Sequence, residues 1–290
     1  MLKKLRLYWS MLNYGLAHNR DFAHEHHWFF RDMLERVGDV HGRRVIDIGC
    51  GKSFWLTLLL HSAGAVVTGV DTELVTAKHG PGKYLAILKE NGLERALRTL
   101  CWDLLFARPY YKELAGLCTE PLRWDRLDVR CVSAITLDEF PDATFDLAVS
   151  HEVFEHIADI PATLRALRRV LKPDALTYIY IHNFTSLSGG HHIAWKYPDT
   201  EPSATVPPWD HLRGNLYPDI PSWINRMRER DYRREFGKYF EIVEWIPYGR
   251  EGESLLTPEI RRELPDYSED ELLTKGFIVK ARPRQGTIES

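Results

Sequence analysis

The run Val45-Ile46-Asp47-Ile48-Gly49-Cys50-Gly51 constrains what this chain can fold into more than any other stretch of it. Strand-forming residues Arg44–Ile48 deliver the backbone to a turn whose two glycines, lacking Cβ atoms, let a ligand lie against the main chain. Ser53–His61 reads as a helix and Ala65–Val70 as a second strand, ending at Asp71. Asp71 stands about 20 residues beyond the turn, where an acidic side chain can accept hydrogen bonds from ribose hydroxyls. A strand–turn–helix–strand unit of this kind opens a crevice at the carboxyl edge of a parallel sheet.

The alternation continues downstream. Val129–Ser133, Phe145–Ser150, Leu176–Ile181, Phe240–Pro247 and Phe277–Ala281 read as strands. Helical spacing covers Asp21–Val37, Tyr84–Lys89, Leu93–Phe106, Ala162–Leu171 and Arg226–Tyr239, with helical pieces across Pro258–Lys275. Strands alternating with helices predict a doubly wound α/β fold with a mostly parallel sheet. We divide the chain into an N-terminal helical extension, 1–43, and a domain over 44–290 with insertions at about 74–124 and 184–222. The 290 residues, 44% hydrophobic and 27% charged, can bury a large core without disulfide or metal. Cys50, Cys101, Cys118 and Cys131 are scattered without a CxxC pair, which suits free thiols in a reducing cytoplasm. Met1–Leu16 mixes Lys3, Lys4 and Arg6 with apolar residues but has no continuous apolar core, so it reads neither as a leader nor as a span. An N-terminal helix touching a membrane surface or a partner is the alternative it leaves open.

Three ligands compete for the crevice. A dinucleotide fingerprint needs a third glycine where Phe54 stands, and a phosphate-binding loop ending in Gly51-Lys52-Ser53 needs an earlier glycine where Ile46 lies inside the strand. S-adenosylmethionine, which has a ribose and no phosphate, meets both requirements: a carboxylate for the diol and close backbone approach. The run Val45–Gly51, Asp71, the segment Phe140-Pro141-Asp142-Ala143-Thr144-Phe145-Asp146, the stretch Ser150-His151-Glu152-Val153-Phe154-Glu155-His156-Ile157 and the helix end Arg169-Val170-Leu171-Lys172-Pro173 together resemble the class I, Rossmann-like S-adenosylmethionine-dependent methyltransferases, in their bacterial small-molecule and glycan branch. The likeness covers roughly Arg44 to His182.

That resemblance implies a seven-stranded sheet of order 3-2-1-4-5-7-6 with the last strand antiparallel, a helical insertion after strand 2 and an irregular lid after strand 5. It implies that Asp47, Gly49, Cys50 and Gly51 line the methionine end of the cofactor and that Asp71 holds the ribose. Ala134 and Ile135 are expected at the adenine, and Ser150 and His151 beside the cofactor where substrate enters. Two positions depart from the family pattern: Ser53 replaces a third glycine, and Ser133-Ala134-Ile135 stand where an acid often follows the third strand.

Methyl transfer is an in-line displacement at an already electrophilic carbon, so the protein must align the reactants and, for a hydroxyl acceptor, supply a base. His191 and His192 of the Gly189-Gly190-His191-His192 segment, with His156, are the candidate bases. If helical, Glu152, Glu155 and His156 share a face and could hold a divalent ion. Similar spacing occurs in ubiquinone-pathway O-methyltransferases and small-RNA terminal 2′-O-methyltransferases; metal-free members carry an acid and histidine there as well, and our expectation is no metal. His24-x-His26-His27 reads as an exposed or half-buried helical face. Trp195, Tyr197, Trp209, Tyr217 and Trp223 could form an aromatic lid for a sugar or flat ring, with Asp210, His211, Arg213 and Asn215 reaching its hydroxyls, or else a packed cap. The charged run Arg226–Arg234 reads as a solvated helix face.

The leading functional expectation is O-methylation of a sugar, glycan or related small molecule. C- or N-methylation of a small aromatic or lipid acceptor, and a non-catalytic cofactor-binding subunit, are the alternatives. The net charge of −3 argues against a nucleic-acid partner.

Overall fold

The computed structural model describes residues 2–76, 80–214 and 223–286. Strand β1 (Arg44–Ile48) pairs in parallel with β2 (Val66–Asp71) on one side and β4 (Phe145–His151) on the other. The carboxyl end of β1 is therefore where the strand order reverses, the position at which open α/β sheets bind ligands. With β3 (Asp128–Cys131), β5 (Leu171–His182), β6 (Phe240–Arg250) and β7 (Thr274–Pro283), the sheet has the order β3-β2-β1-β4-β5-β7-β6. Strand β7 runs antiparallel to both of its neighbours. This is the order the sequence resemblance implies.

Side chains of β1 alternate between two cores. Ile46 and Ile48 pack with Leu164, Leu167 and Val170 of α5 (Ile160–Val170) and Phe236 and Tyr239 of α6 (Glu229–Tyr239). Val45 packs on the other face with Leu56, Leu59 and Leu60 of α2 (Trp55–Ser62) and with Phe29 and Met33 of α1. Helix α5 starts cleanly because the Asp159 carboxylate accepts the Ala162 amide at 2.9 Å and Pro161 needs no donor there.

Helix α1 spans Leu2–Val37, so the helix read from Asp21 onward extends back to Leu2. Phe29 and Met33 are fully buried, each contributing about 1.5–3 kcal/mol. Gly15 lies inside this helix, where a Cβ would come within 2.9 Å of the Phe106 ring. That contact docks α1 on the insertion after β2, which consists of α3 (Pro81–Cys101), a π-helical turn Trp102–Phe106 and α4 (Ala107–Leu117). Gly92 breaks α3 with φ of 82°, which explains why the sequence reads as two helical pieces. Asn19 Nδ2 donates to Phe106 O at 3.0 Å, fixing the same junction. No helix among the described residues is long and apolar enough to cross a membrane.

Candidate functional site

The glycine turn is held from below and behind. Gly49 N and Cys50 N both donate to Val70 O, at 2.8 and 3.0 Å, tying the turn to the end of β2. Gly49 has φ of 74° and Gly51 φ of 63°, the left-handed region that favours glycine. Space imposes the same choice at Gly49, where a Cβ would lie 2.4 Å from the Val153 methyls. Gly51 N donates to Asp71 Oδ2 at 3.0 Å and Glu73 N to Asp71 Oδ1 at 2.9 Å, so the carboxylate is oriented at the crevice edge. Val132 N donates to Asp71 O, which brings the loop after β3 to this edge as well.

Several expected contacts sit differently. Asp47 is buried beneath the turn and accepts the Thr57 hydroxyl at 2.6 Å; burial raises its pKa to about 7, against the pull of Thr57. It shapes the turn rather than lining the crevice. The Cys50 side chain packs with Phe54, Leu58 and Val75, and burial pushes its thiol pKa well up. Ser150 is fully buried and its hydroxyl donates to Ile48 O at 2.9 Å, so it ties β4 to β1 instead of flanking a ligand. Ala134 turns into the core, and Ile135 alone of that pair presents apolar surface. Asp47 and Ser150 are strand residues whose side chains point inward, whereas Cys50 and Ala134 lie in the turns after β1 and β3 and pack down from there.

These residues fit S-adenosylmethionine. A Cβ at Gly51 would meet nothing nearer than Gly49 O at 3.9 Å, leaving open backbone beside an oriented carboxylate and an exposed aliphatic side chain. The helix start that would receive a phosphate is blocked: Phe54, left-handed with φ of 31°, occupies the cap of α2 and is buried.

His151 ends β4, one residue before Glu152, which lines a second cavity, and two before Val153, which packs on the Gly49 turn. The His151 ring packs against Phe29 (4.5 Å), Tyr180 (4.9 Å), Trp55 (5.3 Å) and His26 (5.7 Å), and burial lowers its pKa to about 4. His26 stacks on Trp55 at 4.1 Å and meets His151 edge-on, so α1 packs against the end of β4. The contribution of α1 was not legible, because nothing in sequence links residue 26 to residue 151.

The second cavity, about 330 Å³, is lined by Tyr14 and Phe22 of α1 and by Glu152, His156, His182, His191 and Lys196. The expected helical face of Glu152, Glu155 and His156 does not form. Glu152 has φ of 54°, and only Phe154–His156 make a single 3₁₀ turn. Asn225 clamps that turn, its Nδ2 donating to Phe154 O at 2.8 Å and Ile157 O at 3.0 Å. Glu152 lies 3.8 Å from Lys196, and although burial opposes it, Lys196 holds the carboxylate well below its usual pKa. Glu155 is buried as well; burial, then the charge of Glu152, raises its pKa well above normal. His156 Nδ1 donates to Trp223 O at 2.7 Å, which leaves Nε2 without a proton.

Two histidines join from beyond β5. His182 ends that strand, and His191 follows the Gly-Gly pair with φ of 56°. The glycines are required by crowding: a Cβ on Gly189 would sit 2.2 Å from Asn183 O and one on Gly190 2.7 Å from the His211 ring. Burial, then the neighbouring His156, lowers the His191 pKa to about 3, and its ring lies 4.8 Å from His182 and 5.0 Å from His156. His192, the third expected base, also lines this cavity; its Nδ1 accepts the Ala194 amide and caps a short 3₁₀ turn.

The aromatic segment is largely a packed cap. Trp195 and Trp209 are buried with Leu187, Leu256, Leu264, Leu272 and Leu273, and Trp209 Nε1 donates to Leu272 O. Tyr197 stacks on Tyr14 of α1 at 5.6 Å. His211 Nε2 donates to Phe184 O at 3.0 Å, and Arg213 pairs with Glu263. Tyr217 and Asn215 lie outside the described residues. Arg233 pairs with Glu229 one turn away on α6, as a solvated face would. Sequence reading missed Lys196, His182 and Glu251; the position of His182 at the carboxyl end of a strand was the one usable signal.

A family profile described as "Methyltransferase domain" matches residues 22–244, and the chain belongs to that family. Among curated proteins it is 28% identical over 170 residues to the mitochondrial ubiquinone biosynthesis O-methyltransferase of Bos taurus, covering 55% of this chain and 36% of that protein. It is 23% identical over 162 residues to the Neisseria meningitidis (serogroup C) ubiquinone biosynthesis O-methyltransferase, covering 56% and 53%. The chain thus spans between about a third and about half of the length of these relatives. A candidate S-adenosylmethionine-dependent methyltransferase of Listeria monocytogenes superposes with a TM-score of 0.51 at 12% identity, over 89% of this chain and 98% of that one. A chain from the complex of the Haloferax volcanii Trm112 methyltransferase activator with a methyltransferase gives 0.50 at 16% identity, over 94% and 96%. These two likenesses concern the fold alone.

Proposed function

We propose that this chain transfers the methyl group of S-adenosylmethionine to a hydroxyl of a small ring compound held in the histidine-lined cavity. One observation carries the reading: His156, its Nδ1 proton committed to the Trp223 carbonyl, lines a cavity together with Glu152, whose chain neighbour Val153 packs on the Gly49 turn. When bound, the cofactor supplies an electrophilic methyl. Asp71 holds the ribose diol, the glycine turn lets the cofactor approach the backbone, and His156 Nε2 takes the acceptor proton. The charged pair of Glu152 and Lys196 orients a second polar group of the acceptor.

A sugar, free or in a glycan, fits a cavity with this many hydrogen-bonding groups. A phenolic acceptor is the second reading, favoured by the aromatic walls Tyr14 and Phe22 and by relatives named as ubiquinone-pathway O-methyltransferases. The burial of Trp195 and Trp209 removes two rings that a sugar would otherwise stack on. Incubation of the purified chain with S-adenosylmethionine and separate pools of glycosides and phenols tests both readings. S-adenosylhomocysteine release with one pool, and a 14-mass-unit gain on oxygen (about that of one CH₂) seen by mass spectrometry, is the expected outcome. Cofactor binding by calorimetry with no turnover on either pool would overturn it in favour of a binding subunit.

A further inference from the structure

Glu155 is 3% exposed, and neither of its carboxylate oxygens has a hydrogen bond of proper geometry among the described residues. The backbone amides of Glu155 and His182 come near enough to ease its burial only in part. A buried carboxylate left this way costs several kcal/mol, so it either stays protonated or meets a cation. Two imidazoles stand against it: one ligand atom each from Glu155, His182 and His191 all lie within 4.8 Å of one another.

Hydrogen bonding fixes which nitrogen His182 offers. Ser188 Oγ donates to Glu251 Oε1 at 2.7 Å, and Ser188 N reaches the same oxygen at 2.7 Å. The hydroxyl proton is thereby used, so Ser188 Oγ must accept from His182 Nε2, 2.8 Å away. The proton sits on Nε2, and Nδ1 keeps its lone pair. A histidine oriented by a hydroxyl and a buried carboxylate behind it is the arrangement that surrounds metal-bound imidazoles. Glu152, in contrast, is already neutralised by Lys196.

We propose that Glu155, His182 and His191 bind one divalent first-row transition ion, Zn²⁺ in preference to Mg²⁺. Two imidazoles and one carboxylate are the donors of catalytic zinc and related sites, whereas Mg²⁺ calls for oxygen. Tetrahedral bonds of about 2.1 Å put ligand atoms roughly 3.4 Å apart, so the three groups close by up to about 1.4 Å through side-chain rotation. His182 and His191 both line the cavity, which leaves a fourth position open to an acceptor hydroxyl or water. The site stands whether or not the chain methylates a sugar, because it rests on these side chains and their partners alone.

Calorimetric titration of the chelator-treated full chain with ZnCl₂ and MgCl₂ tests this, with cobalt absorption as the second reading. One Zn²⁺ per chain is expected, with the d–d bands of a four-coordinate site after Co²⁺ loading. His191→Ala and Glu155→Gln should each weaken Zn²⁺ by at least about 100-fold, and Ser188→Ala, which touches no ion, by about 10–100-fold. Far-ultraviolet dichroism and cofactor binding check that each variant is folded. No Zn²⁺ uptake by the wild type, uptake of Mg²⁺ alone, or unchanged Zn²⁺ affinity in folded His191→Ala and Glu155→Gln overturns the proposal. Zn²⁺ uptake without S-adenosylhomocysteine release would uphold this site and overturn methyl transfer; the converse result would do the opposite.

Discussion

The two halves of the site are built by opposite means. In the crevice, backbone does the work: Gly49 N, Cys50 N, Gly51 N and Glu73 N are all placed by hydrogen bonds, and the one side chain that matters, Asp71, has both oxygens occupied. In the cavity, side chains from β4, β5, the Gly-Gly loop and α1 converge, and Glu155 has no hydrogen-bonded partner among the described residues. A backbone site is rigid and accepts one ligand shape. A side-chain site holds strain and unpaired polarity, which is the condition under which chemistry is done.

The largest effect should fall on the cavity alone. His156→Ala is expected to lower kcat by about 10²–10⁴-fold while the dissociation constant for S-adenosylmethionine stays near wild type. Steady-state kinetics with calorimetry separates the two; a parallel loss of cofactor affinity would mean the halves are one unit.

Beneath the crevice, Asp47 predicts a pH dependence of stability. Its folded pKa of about 7 lies above the ordinary 3.8 because of burial, so the native state holds an extra proton between those values. Stability from this carboxyl is full below about pH 4, falls as pH rises, and is lost above about pH 7. The total is at most about 4 kcal/mol. Urea unfolding of Asp47→Asn, which keeps an acceptor for Thr57, should show that decline flattened and the variant more stable than wild type at pH 8. An unaltered pH slope would show that the carboxyl ionises freely where it stands.

At the crevice edge, Asp71→Asn should weaken S-adenosylmethionine binding by about 10–100-fold, the value of charged hydrogen bonds to a diol. The effect on kcat at saturating cofactor should be small, the reverse of the His156 result.

The contrast also explains what could be read from sequence. The crevice follows from contiguous signals, a strand, two glycines, a helix, a strand and an acid within Arg44–Asp71, while the sheet order was implied by the family resemblance. Asp47, Cys50, Ser150 and Ala134 are buried in the structure; for Ser150 this follows from the exact register of β4 on β1, which the sequence does not display. The cavity was legible in pieces only. Glu155, His156 and His191 stood out as chemistry-bearing residues, but the helical face assumed for Glu152–His156 was broken by the left-handed Glu152. Lys196 and Glu251 gave no local signal, since their roles depend on chain segments dozens of residues away closing over the strand ends.

His192 supplies the finest test, because it is a histidine in the right loop with a structural task. Its Nδ1 accepts the Ala194 amide at 3.1 Å and so ends a run of unpaired backbone donors at the start of Ile193–Trp195. Replacing a capping acceptor by alanine typically costs about 1 kcal/mol. His192→Ala should therefore lose about that much stability in denaturant unfolding, with kcat close to wild type, since the proposed proton acceptor is His156 in the turn after β4. A drop in kcat as deep as that of His156→Ala, at unchanged stability, would move the base from the turn after β4 to the loop after β5. It would also show that the two imidazoles at 191 and 192 work together rather than as ligand and cap.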